Sequence, residues 1–302
     1  MCDCLVALSA NTAAHHALFA KNSDRPPAEP QIMRWNPSRR DADVTRTTYI
    51  EVEAHDGDTV ACALSMPDWC WGAEHGVNEA GVAIGNETIY TTLDPRGAPN
   101  ALIGMDVVRL GLERATSALN AVQVMSELIT RYGQGGSGHD TRSGQRARPY
   151  WSSFLIADAN DAWVMETSGR EIATHQVSST WAISNRTTIP SFDARYRHPQ
   201  QPVEQLVDPR LNASRALLAS GPLTVDGVQE HLQAHVGGRD GWTVCMHAEV
   251  DGECVEATTA SMIVELSDHP TVWWAQGSPC MTPYRSAPFS QLVELLPATS
   301  GQ

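Results

Sequence analysis

The sequence of 302 residues contains no run approaching the ~18 apolar residues that a membrane-spanning helix needs, so no helical span is expected. Its start has no basic segment leading into an apolar stretch and a small-residue cleavage pattern, so no secretory signal is expected. It is poor in cations. Lys and Arg number 21 against 35 Asp and Glu, for a net charge of −14. Phosphate binding needs a basic surface, so a nucleic-acid partner is excluded. The seven cysteines are odd in number and unevenly spaced. They do not read as a disulfide framework, and reduced thiols in the cytoplasm are the expectation. There are no internal repeats. The glycine-rich stretch 133–139 lacks the Gly-Lys-Ser/Thr of a phosphate loop. A hydrophobic content of 42 % is ample for a buried core, in one large domain or two.

The informative stretch is the first two dozen residues. Cys2 directly follows Met1, and it is small enough for the methionine to be trimmed. Removal would leave one residue carrying a thiol and a free α-amine, which titrate near ~8.5 and ~8 in unperturbed peptides. A nucleophile beside its own base is an established device in covalent catalysis. Cys2, Cys4, Val6 and Leu8 alternate with Asp3, Leu5 and Ala7, which predicts a strand. After the turn-like residues 9–12, His16–Ala20 predicts its hairpin partner, running into Lys21 and Asp24. The hairpin would return an ammonium and a carboxylate to the level of Cys2. The first favours thiolate; the second can orient the α-ammonium. A chance cysteine and a solvated turn are the plainer reading of the same residues.

Cys2-Asp3-Cys4-Leu5-Val6-Ala7-Leu8, then Phe19-Ala20-Lys21-Asn22-Ser23-Asp24-Arg25-Pro26 with Glu29 and Gln31, resembles the start of the secernins. These are relatives of the cysteine dipeptidase A family, within the N-terminal nucleophile hydrolases. The likeness continues at 71–87, 104–114, 162–167, 183–185, 245–248 and 258–262, covering nearly the whole chain in order. It implies one domain over 1–302 with an α+β fold, a four-layer αββα sandwich of N-terminal nucleophile hydrolase type. The residue pattern alone supports mixed α/β.

Residues 26–48 read as a Pro- and Arg-rich extended loop, either at the rim of a site or simply solvated. Strands are expected at 47–52, 59–65 and 82–87. Asn86, near the end of the last, is a side-chain amide of the kind that stabilises an oxyanion; a plain strand-end role is the alternative. By resemblance to related cysteine hydrolases it takes the oxyanion role. Glu74, His75 and Glu79 have no second cluster to complete a metal site, so no metal and no cofactor are expected. Apolar residues at three-to-four spacing over 102–129 predict two helices, divided around Gly111 and Thr116-Ser117. Residues 137–149 read as a lid or a plain surface loop. A hairpin at 153–167 and strands at 171–177 and 181–185 follow. The last ends in Asn185, which in the wider fold group lies near the nucleophile, and in Arg186. Helical patches over 190–240 suit an outer layer. Strand-like patterns return at 242–247, 260–266 and 271–275. Cys245 and His247 share a strand face, but Cys245 reads as a buried structural thiol.

The resemblance implies amide hydrolysis, most simply of dipeptides. Cys2 would attack the carbonyl with its own amine as base. Asn86 and Asn185 would stabilise the oxyanion, Asp24 would hold the amine and Lys21 would favour thiolate. The bile-salt-hydrolase branch carries arginine where Lys21 stands, and lysine lacks the bidentate fork. Arg25 and Arg186 are the candidates for substrate binding. The partner is a small peptide or amide, with no nucleic acid and no membrane, and a homo-oligomer is compatible with the sequence. Three rivals remain: a sister enzyme for another linear amide such as an N-acyl amino acid, a non-catalytic secernin-like interaction protein, and a metal or redox module built on Cys2 and Cys4.

Overall fold

The computed structural model describes residues 1–144 and 146–299. Two seven-stranded sheets dominate it. In the first, the strand Cys2–Ala7 lies between Thr180–Ile183 and Ala17–Arg25. Glu253–Leu266, Thr271–Gln276 and Arg285–Pro288 continue that sheet, and His247–Val250 pairs with the start of Glu253–Leu266. In the second the order is Glu171–Val177, Ala162–Ser168, Trp151–Ala157, Ala83–Ile89, His75–Asn78, Cys62–Pro67 and Gln31–Asn36. Neighbouring strands in both sheets pair antiparallel.

The alternation in each strand sorts side chains into three apolar layers. Cys4, Val6, Phe19, Met262 and Val264 face Ala63, Ala83, Leu155 and Val164 in the layer between the sheets. The other faces of the same strands carry Leu5, Leu18, Ala20 and Ile263, which pack against Leu211, Val228 and Leu232. Those come from the helices Asp208–Ala219 and Val225–Gln233. On the far side, Leu64, Ile84, Phe154 and Met165 meet Val108, Leu112, Met125 and Ile129. These belong to the helices Gly104–Arg114 and Ala118–Tyr132. Helix, sheet, sheet, helix is the αββα sandwich. Because Cys2–Ala7 is an interior strand of an inner layer, it is buried on both faces.

Several expected boundaries move. The 26–48 stretch contains a real strand, Gln31–Asn36, at the edge of the second sheet. Pro30 and Pro37 bracket it rather than break it, and edge position tolerates such neighbours. The expected 47–52 strand is instead a small separate hairpin of Val44–Arg46 and Glu51–Glu53. Gly111 lies inside its helix, and the division falls at Ala115–Ser117, where the Ser117 hydroxyl caps the second helix by accepting from Asn120 N–H at 3.2 Å. Strand structure near 242–247 begins only at His247. The 137–149 segment is closed at its base by a Ser137–Pro149 bridge and tied down by Arg25, which donates to Gly138 O at 2.6 Å. Gln145 lies outside the described residues.

Candidate active site

Hairpin register builds the site. Cys2 pairs with Ser23 and Cys4 with Lys21, so the return strand delivers Lys21, Ser23 and Asp24 around the thiol. Asp24 N–H points at Cys2 Sγ at 3.4 Å, and Ser23 Oγ lies 3.8 Å from the sulfur. The Cys2 nitrogen donates to Asn185 Oδ1 at 2.8 Å. Asn185 is placed there because Thr180–Ile183 flanks Cys2–Ala7 on the other side. Its own amide is held by Thr88 O at 3.0 Å, which fixes the oxygen toward Cys2. The Cys2 carbonyl accepts from Ser184 Oγ at 3.2 Å and from Arg210 at 3.3 Å.

Lys21 is the only lysine in the chain, and it is fully buried between the sheets. Its ammonium donates to Asn86 O at 2.7 Å and pairs with Glu87 at 3.1 Å. Burial works against this charge but is outweighed by the Cys2 sulfur and the Glu87 carboxylate, so the ammonium is held well above its usual range. Gly85 lets the lysine pass: a Cβ there would lie 2.6 Å from Cys4 Sγ and 2.9 Å from Lys21 Cδ. Asn86 contributes its carbonyl to Lys21, while its side-chain amide donates to Glu74 at 3.3 Å.

Asp24 faces the outer side of its strand. It accepts from Thr258 Oγ1 at 2.7 Å, and its second oxygen lies 3.9 Å from Arg210. Burial raises this carboxyl to about 7, against the pull of the Met1 ammonium and Arg210. Burial likewise pushes the Cys2 thiol up to about 12, with Lys21 pulling the other way. With Met1 in place, then, the sulfur is a protonated thiol.

Met1 lines a cleft of about 430 Å³. The cleft is walled by Tyr90, Asn185, Leu206, Val207, Trp242 and Val255, with Arg148 and Glu256 as its charged members. The Met1 ammonium donates to Glu256 at 3.2 Å and to Asp24 O at 3.1 Å. Burial would lower its pKa, but Glu256, Cys2 and Asp24 raise it above the ordinary value. Arg148 reaches Glu256 at 3.3 Å and is mostly exposed. A second hollow of about 600 Å³ shares Tyr90, Arg148, Gln201 and Pro202, so the depression continues past Arg148.

The fold therefore brings Cys2, Lys21 and Asn185 together and sets Asn86 behind Lys21; Asp24 offers its backbone N–H to the sulfur, but its carboxylate turns outward to Thr258 and Arg210, and it is Asn185, not Asp24, that holds the Cys2 nitrogen. Arg25 and Arg186 are engaged elsewhere. Arg25 is buried between Glu29 and Glu74, and Arg186 pairs with Asp193 and Asp208. Neither can take a substrate carboxylate without giving up those carboxylates, and the cation that faces the cleft is Arg148. Glu74 is engaged by Arg25 and by the Asn86 amide, and burial together with Lys21 keeps the buried His75 neutral.

No family model matches the sequence. Among solved structures, the mutant C2A conjugated bile acid hydrolase from Clostridium perfringens superposes with a TM-score of 0.61, over 96 % of this chain and 93 % of that one, at 12 % identity. Penicillin V acylase from Agrobacterium tumefaciens gives 0.52 over 96 % and 86 %, at 10 % identity. The chain has the N-terminal nucleophile hydrolase fold. At these identities the likeness is one of fold.

Within that fold, sequence reasoning missed Arg210, Glu256, Glu87 and Ser184. Arg210 is fully buried and forms an ion pair with Asp3 while touching the Cys2 carbonyl. It follows an Asp-Pro helix start in a charge-rich region, which reads as a solvated face. Glu256 lies in the first half of a fourteen-residue strand whose apolar half alone was legible. Ser184 and Glu87 each adjoin a singled-out asparagine, so the neighbours of Asn185 and Asn86 were the available signal.

Proposed function

We propose that this chain is an N-terminal cysteine amidohydrolase acting on dipeptides, with Cys2 as nucleophile once Met1 is removed. One observation carries the dipeptide part: the chain's own first residue lines the cleft, with its free ammonium on Glu256 and Asp24 O. A dipeptide presents the same group, and Arg148 beyond Glu256 offers a cation for its carboxylate. The conjugated bile acid hydrolase and penicillin V acylase, whose names describe a hydrolase and an acylase, support amide chemistry on this fold.

The proposed mechanism uses these contacts. Loss of Met1 turns the Cys2 peptide nitrogen into an amine already positioned 2.8 Å from Asn185 Oδ1. That amine takes the thiol proton, and the sulfur adds to the scissile carbonyl carbon. Lys21 supplies a fixed positive charge that lowers the cost of the thiolate. The Asn86 amide is the proposed oxyanion donor, exchanging Glu74 for the developing charge. Collapse breaks the C–N bond, and the Cys2 ammonium protonates the leaving nitrogen. Water then attacks the thioester, giving one proton to the same amine, and the free acid leaves with the thiol restored. Lys21, permanently charged, moves no proton.

A second reading, an N-acyl amino acid as substrate, is favoured by the apolar wall of Leu206, Val207, Trp242 and Val255. The two separate on a matched panel of free and N-acetylated dipeptides, assayed with protein shown by intact mass to begin at Cys2. Faster cleavage of the free dipeptides supports the proposal, and faster cleavage of the acetylated ones moves the assignment to acyl amides. No cleavage of either, with Cys2 unmodified, refutes the hydrolase reading and favours the non-catalytic interaction protein.

A further inference from the structure

Away from the cleft floor, four metal-type donors that are scattered in sequence converge. One ligand atom from each of His235, Cys245, His247 and Cys280 lies within 4.8 Å of every other. His247 Nε2 is 3.5 Å from Cys245 Sγ and 3.2 Å from Cys280 Sγ. The two imidazoles meet edge-on with centroids 5.1 Å apart. A tetrahedral zinc centre with Zn–S of about 2.3 Å and Zn–N of about 2.0–2.1 Å has N···S edges of about 3.6 Å. The two His247 N···S separations lie close to such an edge, and all the donor atoms fall within 4.8 Å of one another, so a cation would draw the wider pairs in by about an ångström.

The backbone holds the donors in place. Residues 234–236 run beside 244–245, with Cys245 N–H donating to Ala234 O and Val244 N–H to Val236 O, each at 3.0 Å. This sets His235 against Cys245. His247 N–H donates to Gly241 O at 2.9 Å. A Cβ on Gly241 would fall 1.9 Å from His247 O, so the close return that presents His247 requires glycine. Cys280 lies in a turn closed by Met281 and Thr282 N–H donating to Ser278 O at 3.0 and 2.9 Å. Cys245 is buried, His247 half-buried, and His235 and Cys280 are exposed, which leaves an entry path from solvent.

We propose that His235, Cys245, His247 and Cys280 bind one zinc-type divalent cation in a closed, tetrahedral, structural site. Two soft thiolates with two imidazoles suit zinc and disfavour calcium and magnesium. On binding, both thiols lose their protons to solvent, the imidazoles bind neutral, and no electron changes hands. A Cys245–Cys280 disulfide would account for two of the four residues and leave both imidazoles unexplained. The consequence reaches the cleft. The segment between His235 and Cys245 carries Trp242, which lines the same cavity as Met1. A metal joining both ends of that segment to the Cys280 turn would fix the wall of the cleft. The site does not depend on the hydrolase reading.

The test uses the full chain, purified in reductant, loaded with zinc chloride and dialysed against metal-free buffer. Elemental analysis should find one zinc per chain in wild type and equally in Cys2→Ala. Cys280→Ser and His235→Gln alter exposed residues and should keep the circular dichroism of the parent. Each should weaken zinc binding by more than the roughly 10–100-fold that follows loss of an outer-shell partner. Cobalt(II) in place of zinc should give tetrahedral d–d bands and a thiolate charge-transfer band that weakens in Cys280→Ser. The proposal is overturned by wild-type protein that retains no zinc, by retention unchanged in both variants, or by a Cys245–Cys280 disulfide in the intact mass of protein handled without reductant.

Discussion

Glu256→Gln is the sharpest perturbation of the cleft. Glutamine keeps the shape and the hydrogen-bonding carbonyl but removes the charge that meets an ammonium at 3.2 Å. The Glu256 side chain is only 8 % exposed, so the interaction is weakly screened. Hydrogen bonds to charged groups contribute about 1.5–3 kcal/mol, and truncating one partner of a desolvated pair costs about 2–5 kcal/mol. Taking ~2–3 kcal/mol, kcat/KM for a free dipeptide should fall roughly 30–150-fold, at about 1.36 kcal/mol per decade. The ammonium is held alike in ground and transition states, so the loss should appear mainly in KM. The N-acetylated dipeptide has no ammonium and should be cleaved at an unchanged rate. Steady-state kinetics on the pair of substrates therefore reads the interaction as a ratio of ratios, immune to a general loss of active enzyme. An equal fall for both substrates would mean that Glu256 supports the fold and not the ammonium. A change below about threefold for the free dipeptide would refute the reasoning from Met1 altogether, since RT ln 3 is within ordinary mutational scatter.

Three further changes probe the surroundings. Arg210→Ala leaves the buried Asp3 and Asp24 carboxylates without their cation, so unfolding stability should drop by about 3–5 kcal/mol in a urea titration, and a loss under 1 kcal/mol would show the pair to be dispensable. Asp24 titrates at about 7 in the folded chain against an ordinary 3.8, so between those values the folded state keeps a proton that the unfolded state has lost. Stability should therefore fall with rising pH across about 4–7, by up to ~4 kcal/mol from this group; protein retaining Met1 should lose ground against Asp24→Asn between pH 4.5 and 7.5, and a pH-independent difference would contradict the assignment. Gly104→Ala places a Cβ 2.3 Å from Ser152 Oγ and 2.4 Å from Asn86 Oδ1, so Asn86 must shift; kcat should fall while thermal unfolding drops by the ~1–3 kcal/mol of an overpacked contact.

Much of this site was legible because it is local. The Cys2–Ser23 register follows from a hairpin whose strands show plain two-residue alternation, and that register alone delivers Lys21 and Asp24. Asn185 was legible for a similar reason, standing at the end of a strand that could be read on its own. What stayed hidden depends on contacts between distant segments. Arg210 and Glu256 lie 208 and 254 residues from Cys2, and nothing in their own neighbourhoods marks them as buried. Arg25 and Arg186 are engaged in ion pairs only half legible in sequence: Glu29 and Asp193 stand four and seven residues along, while Glu74 and Asp208 are brought in by the fold. The 31–36 strand was masked by prolines at its two ends, where a strand at a sheet edge can accommodate them.

The retained methionine gives the last test. With Met1 present the Cys2 thiol is buried and pushed to about 12, and its neighbouring nitrogen is a peptide with no basicity. Two features thus act together: the sulfur is protonated, and Met1 forms part of the wall of the adjoining cleft. Removing Met1 changes both at once, since it frees an amine beside the thiol and takes away that part of the wall on the Glu256 side. Alkylation at pH 7.5 should then separate the two forms. In protein that keeps Met1, Cys2 should react more slowly than the exposed Cys254 and Cys280. In protein prepared to begin at Cys2, it should react faster than either, because thiolate fraction and access both rise. The companion measurement is amine labelling. Because Lys21 is the only lysine and is fully buried, a native-state acylating reagent should place a single adduct on the first residue, identifying which form is in hand. Equal Cys2 reactivity in the two forms would show that neither burial nor the peptide bond restrains the sulfur, and the N-terminal amine would lose its place as the base.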